Sequence, residues 1–69
     1  MPEPTPRERA ATLRAGAENL ADAREALRRA HARMGDVMDR PECLEQMMGA
    51  LTTLARDVRH QAQQLERDA

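Results

Sequence analysis

Four methionines, one cysteine and one histidine are the residues in this sequence whose types and spacing could do chemistry. Met34, Met38, Met47 and Met48 fall on either side of a Gly/Pro-punctuated stretch, with Cys43 beside them and His31 one turn before. Thioether, thiolate and imidazole together suit a soft ion such as Cu(I). The same methionines stand at helix-seam positions, where unbranched, polarizable side chains fill irregular gaps or form adaptable contact surfaces. Core filling is the favoured reading, a protein-binding surface at Met34, Met38, Met47 and Met48 comes second, and a metal site at His31 and Cys43 third. Cys43 in a first helical turn has a position that favours thiolate. With no Ser in the chain and no second Cys, nothing completes a nucleophilic site, and a half-buried structural cysteine is expected. No catalytic residue and no cofactor are assigned.

The elements that must position these residues are two long amphipathic helices. From Cys43 to Leu65 the apolar side chains repeat at helical spacing: Leu44, Leu51, Val58 and Leu65 fall seven apart, with Met47, Met48, Leu54, Ala55 and Ala62 between them. Two apolar columns side by side need more than one partner helix to cover them. Upstream, Leu13, Leu20, Leu27 and Met34 form a second heptad column, with Gly16, Ala23, Ala30 and Val37 at the intervening step. Thr5-Pro6-Arg7-Glu8 reads as a capped helix start, with Pro6 where its missing N–H costs nothing. Gly35 reads as a stop, followed by Pro41 as the first turn of the next helix, with Asp39 and Glu42 as a capping pair.

These signals predict an extended lead over 1–5, a helix over 6–36, a bend over 35–40 and a helix over 40–66. The first helix has an expected end between 34 and 38. Equal lengths and a short connection require an antiparallel hairpin. The fold class is therefore all-α: a two-helix hairpin that dimerises with two-fold symmetry into a four-helix bundle. Leu13, Leu20, Leu27, Leu44, Leu51, Leu54, Val58 and Leu65 are its expected core and dimer residues.

Composition narrows the function classes. The chain has 69 residues, enough for one domain at most, and no aromatic side chain. All eleven basic residues are Arg, a usage that GC-rich coding produces without selection on the protein. Net charge is −1, with seven Arg against five acids in residues 1–35 and four Arg against seven acids in residues 36–69. The halves should attract each other, and the chain as a whole is not a basic nucleic-acid binder. Arg24 and Arg28 belong to a modest basic strip on helix one, interrupted by Glu18, Asp22 and Glu25, that reads as a solvated or partner-facing surface. Glu42 and Glu45 lack the Glu-x-x-His pattern of di-iron bundles. No stretch has the length to span a bilayer or the pattern of a signal peptide, and a single Cys fits a reducing compartment, so a cytoplasmic location is expected.

A dimeric helical bundle with a Cys at the start of its second helix is similar to the copper-sensing repressors of the CsoR-like family. That resemblance implies further His and Cys ligands about seven turns along the same helix, and the matching region here, ending at Asp68, has neither. The functional expectation is therefore a non-enzymatic protein–protein interaction module, an adaptor or regulatory subunit, whose partners are a second copy and another protein. The alternative is a small regulator associated with nucleic acid or responsive to a soft metal.

Overall fold

The computed structural model describes residues 2–68, which form two helices, α1 (Pro6–Met34) and α2 (Pro41–Arg67). They fold back on each other as one antiparallel hairpin, with principal extents of 51 × 20 × 15 Å. The radius of gyration is 15.8 Å, against roughly 11 Å for a compact chain of this length. No helix among the described residues is long and apolar enough to cross a membrane.

Local chemistry accounts for the helix ends. Thr5 is the N-cap of α1, its hydroxyl accepting from the Glu8 N–H at 3.1 Å while its carbonyl accepts from the Arg9 N–H at 2.9 Å. Helix α1 closes at Met34, the short end of the expected range and two residues before 36. Gly35 caps it in right-handed geometry (φ −53°, ψ −34°) instead of the left-handed form usual for glycine. The Val37 and Met38 N–H groups both bond back to the Met34 carbonyl at 2.9 Å, so the chain tightens through the bend. Glycine is needed here for closeness: a Cβ at position 35 would lie 2.6 Å from the His31 carbonyl oxygen.

Helix α2 begins without the expected Asp39–Glu42 capping pair. Arg40 is its N-cap, non-helical at φ −136° and ψ 72°, and makes no side-chain capping bond. Pro41 forces this, because the residue before a proline is pushed out of helical geometry. That leaves Asp39 one position too early to cap.

The seam between the helices also differs from expectation. Among the described residues the buried side chains are all alanines, Ala10, Ala17 and Ala62 at 0% exposure and Ala55 at 4%, and no large side chain is fully buried. On α2, Leu44, Met48, Leu51, Val58 and Leu65 are half-buried, whereas Leu54, expected among the core and dimer residues, and Met47 are exposed. On α1, Leu13, Leu20 and Leu27 are half-buried but are accompanied by Ala10 and Ala17, not by Ala23 and Val37, which are exposed. A leucine column can pair with the column four residues on or the column three residues on. Ala10 and Ala17 are the pair that α2 covers, although Gly16, Ala23 and Ala30 in the competing column are equally small.

Candidate interaction surface

The hairpin has two unlike broad faces. Pro4, Arg9, Thr12, Leu13 and Gln61 lie together on one of them. Gly16, Ala23 and Ala30 follow Arg9 at heptad steps, and Leu54 and Met47 precede Gln61 at heptad steps, so all share that face. Leu54 is 49% exposed and Met47 53%. At the bend end of this side Met34 is 43% exposed and Val37 83%. The other face is polar, with Arg14, Glu18, Arg56, Arg59, His60 and Gln63 around an open groove. Arg14 and Glu66 close that side with a two-pronged ion pair, one arm of which is 3.0 Å.

The bend separates the methionines into two pairs. Met34 and Met47 are exposed, whereas Met38 and Met48 are half-buried. Cys43 is a free, exposed thiol, not the half-buried residue expected, because the third position of α2 points away from the alanine seam. His31 is half-buried beside Glu45: its Nε2 lies 3.2 Å from a Glu45 carboxylate oxygen. The approach is outside hydrogen-bonding alignment, and the same nitrogen is shielded from solvent with no other partner. This is a charge contact when the imidazole is protonated and an unsatisfied atom when it is not. Among the described residues no three His, Cys, Asp or Glu side chains gather as a metal-binding group.

The basic strip is partly committed. Arg28 donates to both Glu25 carboxylate oxygens, at 2.9 and 2.6 Å, and Arg29 approaches the same carboxylate at 3.8 Å. The hydrogen bond from Arg28 holds the Glu25 carboxyl below its usual range, with Arg28, Arg29 and Arg24 charges assisting. Arg24 is exposed and Glu25 half-buried. Sequence reasoning placed Arg24 and Arg28 on one strip but missed that Glu25 occupies the second. The i, i+3 spacing of Glu25 and Arg28 was the available signal.

Searches against family models, curated proteins and solved structures each return no match for this chain. The surface chemistry is therefore the basis for a functional reading.

Proposed function

We propose that this chain is a small non-enzymatic interaction module, an adaptor or regulatory subunit, that works as a homodimeric four-helix bundle in the cytoplasm. The observation that carries the reading is that the hairpin buries only alanines while every leucine stays at least partly wet. Surface area supports the reading. The chain exposes 5546 Å², whereas a compact monomer of its 7.8 kDa exposes roughly 4,400 Å². The excess exceeds the about 800 Å² that each partner buries in a standard interface. A second copy on the apolar face removes that excess and leaves the polar face outside.

In this assembly the bend remains an end surface, and Met34 and Val37 are the exposed apolar side chains it offers to another protein. The unbranched thioether of Met34 adapts to different apolar partners at small strain. Asp at both positions is expected to abolish partner capture, with helical circular dichroism unchanged. A partner retained at full strength by that variant would remove the bend from the account. Replacing Met38 and Met48 tests less cleanly, because both are half-buried and their loss also strips cover from the hairpin.

The regulator reading has less to support it. Arg28 has its guanidinium engaged by Glu25, which reduces the strip available to phosphates. A gel shift at low salt that weakens on Arg28→Glu would favour the nucleic-acid form, and Cu(I) binding lost on Cys43→Ala would favour the metal form.

A further inference from the structure

The apolar face carries columns of opposite bulk: Gly16, Ala23 and Ala30 on α1, and Met47 and Leu54 on α2. The Arg14–Glu66 and His31–Glu45 pairs mark the register of the hairpin, and interpolation between them puts Leu54 level with about Ala23. Met47 is then level with about Ala30, one heptad nearer the bend. Two-fold symmetry offers two ways to lay such a face on a second copy. An axis along the helices sets α1 of each copy on α2 of the other, with both bends at the same end. An axis across the helices sets like helix on like helix, with the bends at opposite ends.

Bulk separates the two. The same-end arrangement seats each large side chain over a small one, Leu54 over Ala23 of the partner subunit, and keeps all helix pairs near a common spacing of about 8–10 Å. The opposite-end arrangement sets Leu54 against its own copy on one side and alanine against alanine on the other. The α2 pair is then forced apart while the α1 pair closes, and the packing becomes a wedge. Charge points the same way. Residues 1–35 have seven Arg against five acids, and residues 36–69 four Arg against seven acids. Same-end pairing gives every helix neighbours of opposite net charge, whereas opposite-end pairing sets like-charged helices side by side.

We infer that the occupant of the Ala23–Leu54 face is a second copy of this chain with its bend at the same end, an inference that rests on the homodimer reading. The consequence is functional. Met34 and Val37 of both copies gather at one end of the bundle, so the dimer presents one composite apolar surface instead of two separate ones.

The chain's single cysteine makes this measurable, because Cys43 is exposed and lies in the first turn after the bend. Nitroxide labels on Cys43, read by double electron–electron resonance, are expected to lie below about 25 Å in the same-end dimer, a distance set by helix spacing. In the opposite-end dimer each label sits eleven residues from the level of Leu54, and at about 1.5 Å per residue the two stand about 33 Å apart or more. A distance near that value overturns the same-end arrangement and leaves the dimer standing. A monomer by sedimentation, with no dipolar coupling, overturns both. Should a label at Cys43 itself weaken association, Asp36→Cys in a Cys43→Ala background reports the same contrast from the exposed bend.

Discussion

Gly35 and Gly49 are the same residue type with opposite expected responses to substitution. A Cβ at position 35 would meet the His31 carbonyl oxygen at 2.6 Å, while a Cβ at position 49 would meet nothing within 4 Å. Thermal unfolding of Gly35→Ala is expected to show a loss of about 1–3 kcal/mol from forced overlap. Gly49→Ala is expected to gain up to about 1 kcal/mol from helix propensity. Glu25 supplies a pH dependence. Its carboxyl is held below the ordinary value chiefly by the Arg28 hydrogen bond. Its contribution to stability is thus complete above the ordinary carboxylate pKa and disappears as pH falls through the lowered one. Acid melts of Glu25→Gln are expected to lack that part of the slope, and an unchanged slope would mean the pair does nothing in solution. At this scale the sequence showed the cap at Thr5 and the special character of Gly35, since each depends on neighbours within one turn. It could not show that Cys43 is exposed, because that depends on which column the opposite helix selects.

At the scale of the helices, the alanine seam is what the pattern concealed. Heptad spacing made two antiparallel helices legible, and α2 covers the expected Leu44, Leu51, Val58 and Leu65 positions. On α1 two columns flank the leucines, and periodicity alone ranks them equally. The structure breaks the tie: Ala10 and Ala17 on α1, with Ala55 and Ala62 on α2, are the buried seam positions, which leaves Ala23 exposed and Gly16 and Ala30 half-buried. Ala55→Leu tests this directly. Ala55 is 4% exposed, and three extra carbons at a buried seam position are expected to cost about 1–3 kcal/mol, measured by denaturant titration. A neutral or stabilising result would mean that the helices stand farther apart than alanine packing requires.

For the whole molecule, the unlikeness of the two faces governs the rest. One carries Leu54, Met47 and half-covered leucines; the other carries Arg14, Glu18, Arg56 and Arg59. The breadth of the α2 stripe signalled in the sequence that one hairpin cannot cover it. Which face stays open was not legible, because that depends on which α1 column α2 covers, Ala10 and Ala17 or the Gly16 column. Sedimentation of the purified chain at micromolar concentration tests the central claim most directly. The account expects a species of twice 7.8 kDa that reverts to monomer on Leu54→Asp. A compact monomer that melts cooperatively, indifferent to Leu54→Asp, would contradict it.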